Sequence, residues 1–326
     1  MPEISLLKPE ILNGVIEELE YPDSFAGTKI LGAPEASPWP IAQWDVEYMS
    51  RSVAEPNMPN TEAKIVPHLG VGQRTASFIY ILEKKIFKPT TLHWLRTPGQ
   101  LAMKNAERYV MKEIKDLDRR FMAFAEFTIW QMFSGTLTLD YPDIKATVDY
   151  NIDASHKPTV TTAWSDESAD IIGDVISWKR RIAEDGAAAQ TREIWMNGET
   201  FEYIGKNTTI RGLFSDRLRD QYLGAGEVLG LLGLNWMTYD SMYQDSNGDL
   251  VKYIPDDYVF LYADNPERPF YMMEGPSADH EAPANTIGKF AKTWMEPDPS
   301  NRQYLCEWHF LPILERPDQV MWCNVG

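Results

Sequence analysis

Cys306 and His309 stand three residues apart near the C-terminus, with Cys323 beyond them, and thiolate with imidazole is a donor set that suits zinc. Only one tight pair exists, however, and a strand presenting alternate side chains makes both thiols core residues. The five histidines, His68, His93, His156, His280 and His309, are scattered, with no HExxH pair and no GxSxG nucleophile turn. Nothing in the spacing resembles a catalytic triad. Acid pairs are abundant, so two-carboxylate glycoside hydrolysis is open by residue type, and eleven tryptophans could stack on sugars. Pairs arise by chance among 48 acids, and Trp130, Trp178, Trp195, Trp236 and Trp308 sit in apolar runs that core packing explains.

Glycines 224, 226, 230 and 233 suggest a dinucleotide loop, but the third required glycine falls on Leu229. A close-packed glycine turn accounts for them. Asp245 to Asp249, with Asp256 at the twelfth place, resembles a calcium loop, yet its glycine comes at position four instead of six. A hairpin turn is the better reading. The expectation is of no enzyme, no metal and no cofactor.

The elements that would position such residues follow from periodicity. Residues 1 to about 50 are interrupted by Pro9, Pro22, Pro34, Pro38 and Pro40, with a short helix expected from Pro9 to Leu19. The aromatic area of Tyr21, Phe25, Trp39, Trp44 and Tyr48 makes this an arm lying against something else. From Ala63 to Phe87, two strand-like stretches around Gly70-Val71-Gly72 read as a long hairpin, and Pro67 suggests an edge. An unpaired edge invites association, so a neighbour should cover it.

Gln100 to Phe133 is the clearest element, with Met103, Ala106, Val110, Ile114, Leu117, Phe121, Phe124, Thr128 and Met132 at helical spacing and Gly135 as its stop. At 1.5 Å per residue it spans about 50 Å. Thr136 to Ile152 predicts a second hairpin, with Leu137, Leu139, Ile144, Ala146, Val148 and Tyr150 alternating. After the polar stretch Asp153 to Asp166, a helix is expected over Glu167 to Ala188, facing inward with Ile171, Val175, Trp178 and Ile182 and capped by Asp166 or Ser168. A strand over Thr191 to Met196, a helix over Glu199 to Gly205, an Asn247-Gly248 hairpin and three closing strand segments from Gly288 to Val325 complete an α+β chain.

Composition narrows the function. The 326 residues carry 48 Asp and Glu against 31 Lys and Arg, a net charge of −17, which argues against a protein that coats nucleic acid. Two cysteines make no disulfide framework, the N-terminus has no secretory pattern, and Val228 to Met237 is about half of a membrane span. A protein made in the cytoplasm, in no membrane, fits best.

The segments LRTPGQ and NAERYVMKEIKDLDRRFMAFAEFTIWQMFSG, then TLTL and VDYNI, WSDESADIIGDVISWKRRI, EIWMN and the closing AKTWMEPDPSNRQYLCEWHFLPILERPDQVMWCNV occur in an order that resembles the lambda-type major capsid proteins of tailed phages (the major capsid protein E family), with the Hong Kong 97-like fold. The resemblance implies an N-terminal arm (1–50), an extended loop (51–96), a peripheral domain (97–165 and 271–326) with its spine helix at 100–134, and an axial domain (166–270). It implies pentamers and hexamers of an icosahedral shell around double-stranded DNA, assembled in the host cytoplasm with a separate scaffold protein and a portal, a decoration protein being a further candidate partner; the net charge speaks against specific DNA binding, and a non-covalent shell is assumed because no Lys and Asn pair for a crosslink can be assigned. Contacts between subunits are expected at His68, Leu69, Val71, Gln73 and Arg74 on the extended-loop tip, at Trp39 and Trp44 in the arm, and at Asp153, His156 and Trp164 in the polar stretch. An encapsulin-like compartment protein and a carbohydrate-active enzyme are the alternatives.

Overall fold

The computed structural model describes residues 25–46, 72–88, 100–142, 144–186, 190–213, 228–245, 248–264, 269–283, 285–298 and 300–326, together with Asn13. The expected helix at Pro9 to Leu19 and the first strand of the long hairpin lie outside these residues. The chain divides into two units, one formed by residues 1–42, 75–128 and 271–312, the other by 43–74, 129–270 and 313–326. The cut between them falls inside one continuous helix.

The first unit holds α1 (Ala26–Leu31), β1 (Glu35–Ala36), β4 (Ile79–Phe87), β13 (Phe270–Glu274), β14 (Lys289–Pro297), most of β15 (Ser300–Leu314) and the first part of α2 (Gln100–Ser134). The sheet order is β1-β13-β15-β14, with β4 also paired to β15. β15 is long enough to hold β14 along one register, Lys289↔Trp308 to Pro297↔Ser300, and β4 along another, Ile79↔Phe310 to Phe87↔Arg302. Period-two alternation then sends Tyr304, Cys306, Trp308 and Phe310 to one face, in line with Ile79 and Phe87 of β4. That face meets Val110, Ile114, Leu117 and Phe121, the helical stripe legible in the sequence, as the edge-on contact of Phe310 with Phe124 at 6.4 Å shows.

The expected strand Thr75 to Phe87 is split at Phe78. Gly72–Ser77 (β3) pairs with Ile41–Val46 (β2), and Ile79–Phe87 joins the five-stranded sheet. Its inner edge is therefore paired within the chain. At the break the Phe78 ring lies against Gly275, where a Cβ would collide with it.

In the second unit the sheet order is β16 (Val320–Asn324), β12 (Tyr258–Ala263), β7 (Thr191–Met196), β9 (Leu234–Thr238) and β8 (Val228–Leu231). Val259 stands opposite both Cys323 and Met196, and Phe260 opposite both Trp322 and Trp195, so the two faces separate cleanly. One face packs Ile194, Met196, Trp236, Val259, Leu261, Met321 and Cys323 under α3 (Ile171–Asp185), α4 (Gly198–Lys206) and α5 (Thr208–Leu213). Ile171, Val175, Trp178 and Ile182 are the inward stripe of α3, as expected. Phe260 on the other face stacks on Phe133 at 4.2 Å and meets Trp130 edge-on at 5.7 Å. The C-terminal turns of α2 thus serve a second core, which is why Phe121 to Phe133 is apolar nearly all round.

α3 starts at Ile171, and its cap is Asp170, whose carboxylate accepts the Gly173 N–H at 3.0 Å; Asp166 instead accepts from Ser168 in the preceding turn. Gly135 ends α2 with φ +95°, and its carbonyl accepts the Tyr150 N–H, closing the hairpin of β5 (Thr136–Asp140) and β6 (Lys145–Asp149). In that hairpin Leu137, Leu139 and Tyr150 are buried, but Ile144 and Ala146 are exposed, because β6 has no layer over it among the described residues. The last strand, β16, lies in the second unit's sheet.

Candidate assembly surfaces

Surfaces that could join one copy to another should show apolar or charged groups that the chain itself leaves uncovered. The arm supplies one. Pro38 and Pro40 bracket Trp39, fixing an extended bend, and the indole stands 67 % exposed. Trp44 is its opposite. On β2, Ala42, Trp44 and Val46 alternate inward, and Trp44 packs 6.4 Å from the Tyr150 ring. Of the loop-tip residues, Gln73 is exposed and Arg74 half-buried, its guanidinium facing the amide oxygen of Asn151 when that amide also donates to Asp149. His68, Leu69 and Val71 lie outside the described residues.

The polar stretch at 153–166 is anchored rather than loose. Val160 N–H donates to the Asn324 carbonyl at 3.0 Å, Asn324 N–H to that of Pro158 at 2.9 Å, and Trp164 N–H to that of Val325 at 2.8 Å. The segment thereby extends the sheet beyond β16. Its side chains divide sharply. His156 is 2 % exposed, with Nδ1 2.9 Å from the Val320 carbonyl and Nε2 3.0 Å from the Asp185 carboxylate. Trp164 is 1 % exposed, stacked on Trp178 at 5.5 Å and donating to Asp174 at 3.0 Å. Both side chains are spent inside the subunit. Asp153 remains outside; it accepts the Ser155 N–H at 2.8 Å, and that bond lowers its carboxyl below the usual range.

A surface that sequence reasoning missed lies on β4. Facing away from α2, Tyr80, Leu82 and Ile86 are 39 %, 47 % and 49 % exposed, and the outer edge of β4 has no strand partner among the described residues. The alternation was legible in TASFIYILEKKIF; which side would be left open was not. Beneath this face, Glu307 is fully buried. It accepts from the Tyr80 hydroxyl at 3.1 Å and from the Ser277 hydroxyl, which ties β4 and the 275–288 loop to β15. Burial, aided by the Glu307 charge, pushes the Tyr80 phenol up to about 12. His309 packs edge-on against Tyr80 at 4.4 Å, and burial lowers its pKa, favouring the neutral ring. These groups form a structural network in which every hydroxyl points at a carboxylate and none is opposed to a base.

Cys306 and Cys323 are free and buried, one in each unit, and no cluster of metal-binding side chains occurs among the described residues. Leu232-Gly233, at the end of the glycine-rich run, is the φ-positive turn joining β8 to β9. Gly248 lies in the connection of β10 (Met242–Gln244) to β11 (Leu250–Lys252), and Asn247 lies outside the described residues. No described helix is long and apolar enough to cross a membrane.

Comparison with known proteins gives this geometry its context. No curated protein matches the sequence. Among solved structures, the capsid protein of a prophage from Escherichia coli CFT073, itself described as putative, is similar at 18 % identity over 78 % of this chain and 80 % of that one, with a TM-score of 0.60. A phage-related protein from Bordetella bronchiseptica RB50 is similar at 12 % identity over 97 % and 96 %, also with a TM-score of 0.60. The capsid of cyanophage P-SCSP1u is similar at 10 % identity over 90 % and 86 %, with a TM-score of 0.51. These likenesses show the mixed α+β Hong Kong 97-like fold. The model of the phage major capsid protein E family matches residues 9–324. With both units and nearly the whole length inside that match, the chain belongs to the phage major capsid protein E family, whose members are the major shell subunits of phages.

Proposed function

We propose that the subunit acts without chemistry, closing into pentamers and hexamers of an icosahedral shell that holds double-stranded DNA. Heterologous contacts of this kind close into rings when the rotation between copies permits. The observation that carries the reading is the open face and edge of β4, where Tyr80, Leu82 and Ile86 leave apolar area and backbone groups that one copy does not cover. In this reading residues 1–50 form the arm, 51–96 the extended loop, 97–165 and 271–326 the peripheral domain, and 166–270 the axial domain. Loop-tip residues His68 to Arg74, arm residue Trp39 and the exposed side chains of 153–166 join copies. A separate scaffold protein and a portal take part, with a decoration protein as a further candidate partner, assembly occurs in the host cytoplasm, and the shell is non-covalent.

Electron microscopy of the concentrated protein tests this. Closed shells are expected from the wild type, and Leu82→Glu with Ile86→Glu should leave folded, unassembled subunits. A wild type that stays monomeric with its scaffold present overturns the reading. Deleting Leu69 to Gln73 and finding normal shells removes the loop tip from it.

A further inference from the structure

The exposed face of α2 carries a feature that neither core explains. Arg108, Lys112, Lys115 and Arg119 follow one another at intervals of four, three and four, which places them within an arc of about 60° along about 16 Å of helix. All four are exposed, and none has an ion pair among the described residues.

The contrast with the acids of the same helix is sharp. Glu113 and Asp116 both reach Lys85 of β4, at 3.0 and 3.2 Å, and Asp118 reaches Lys289 of β14. Arg120, one step off the stripe, is held by Glu83 at 2.8 Å. The sheet thus neutralises the inward acids and leaves an unopposed cationic row outside. Further along the same face Glu126 is buried, its carboxylate taken by the Gly27 and Thr28 amides, so the row ends where α1 covers the helix.

We propose that this stripe is a socket for an acidic surface of a second copy of the chain. The inference rests on the shell reading above. Copies of a chain with net charge −17 repel one another, and like charges brought together in an interface cost several kcal/mol. Stable contact needs cations placed against the excess acid. Four cations without an ion pair among the described residues supply them, and other copies offer acid that lacks a countercharge: Asp166 and Asp170 accept hydrogen bonds from Ser168 and Gly173, yet they and Glu167 are exposed and have no cation within ion-pair reach among the described residues. The phosphate backbone is the weaker candidate, because the field of the whole chain opposes its approach.

Zero-length carbodiimide crosslinking of shells assembled from equal light and nitrogen-15 subunits reads the contact directly. Peptides joining Lys112 or Lys115 of one isotope to Asp or Glu of the other are expected. Shells that form but give no mixed-isotope link at either lysine overturn the inference and leave the shell reading intact. Wild-type protein that forms no shells overturns that reading, and the inference falls with it. As a second arm, Arg108→Glu, Lys112→Glu, Lys115→Glu and Arg119→Glu together should reduce shells at least about tenfold at 0.1 M salt, with recovery near 1 M as the Debye length shrinks from about 10 to 3 Å. Should that variant fold poorly, the four glutamine replacements should show the same loss in weaker form. Normal shells from the charge-reversed variant, or normal shells with a lowered DNA content, overturn the proposal; the latter outcome assigns the stripe to nucleic acid.

Discussion

Nζ of Lys289 lies 2.5 Å from the Asp118 carboxylate, with the two side chains 12 % and 10 % exposed. The ammonium also sits 4.7 Å from the centre of the Trp308 ring, so its remaining face is covered by π electrons. This pair joins the outermost part of β14 to the middle of α2.

Breaking it from one side should therefore be expensive. Asp118→Asn or Lys289→Met is expected to cost about 3 kcal/mol, since each removes one half of a largely buried ion pair and leaves the other half without its main countercharge. Asp118→Leu combined with Lys289→Met should cost clearly less than the two single effects added. Urea unfolding of the three variants, if additive, would rule out the coupling.

Glu126 anchors α1 with both oxygens, accepting from Gly27 at 2.7 Å and Thr28 at 2.9 Å where nothing reaches water. A carboxylate at a helix N-terminus meets unpaired N–H groups and the positive end of the dipole. Glu126→Gln retains the shape but loses the charge and one acceptor. About 1 to 3 kcal/mol of stability should go with it, and hydrogen exchange at Ala26 to Leu31 should accelerate ahead of the rest. Unchanged protection there would show that α1 is held by its apolar contacts alone.

Asp318 governs a pH effect. Burial is the main cause that pushes its carboxyl up to about 6, and Oδ1 has no hydrogen-bond partner. The protonated form is the one the fold prefers. Its contribution is therefore complete below about pH 4 and is lost as pH rises through 6. Partial exposure to solvent limits the effect to about 1 to 2 kcal/mol. Asp318→Asn should melt above the wild type at pH 8 and with it at pH 4; a gap independent of pH would contradict this assignment.

The thiols should be inert. Burial pushes Cys306 up to about 12 and Cys323 well above the ordinary thiol range, and neither is free to form the thiolate that reacts. Native protein at pH 8 is expected to release no colour from an aromatic disulfide reagent, whereas denatured protein should react at both cysteines. Reaction of the folded protein at the denatured rate would show that one of these strands opens.

The arm shows why burial was the least legible property. Trp39 and Trp44 are alike in the sequence, both flanked by polar residues and prolines or acids. Trp39 is thrown outward by its two prolines, and Trp44 faces in because β2 pairs and so acquires an inner side. His156 and Trp164 have polar neighbours along the chain, a pattern that predicts surface positions. They are buried because Pro158 to Trp164 is recruited as an extension beside β16, a partner more than a hundred and fifty residues away.

What the sequence determined by itself was whatever depends on neighbours along the chain. The 3.6-residue stripe from Val110 to Met132 specifies α2, Gly135 ends it, and short apolar, β-rich runs mark β7, β12 and β15; each signal is local, so no distant partner is needed to read it. Tertiary structure alone decided which edges and faces are closed. β4 meets β15 through pairs such as Tyr80 with His309, and Lys85 finds Glu113 and Asp116 on α2, so the same folding step that hides one row of charges leaves Arg108 to Arg119 and the Tyr80, Leu82 and Ile86 face uncovered. Strand register and ion pairing join residues far apart along the chain, and only the completed packing shows what one copy leaves for the next.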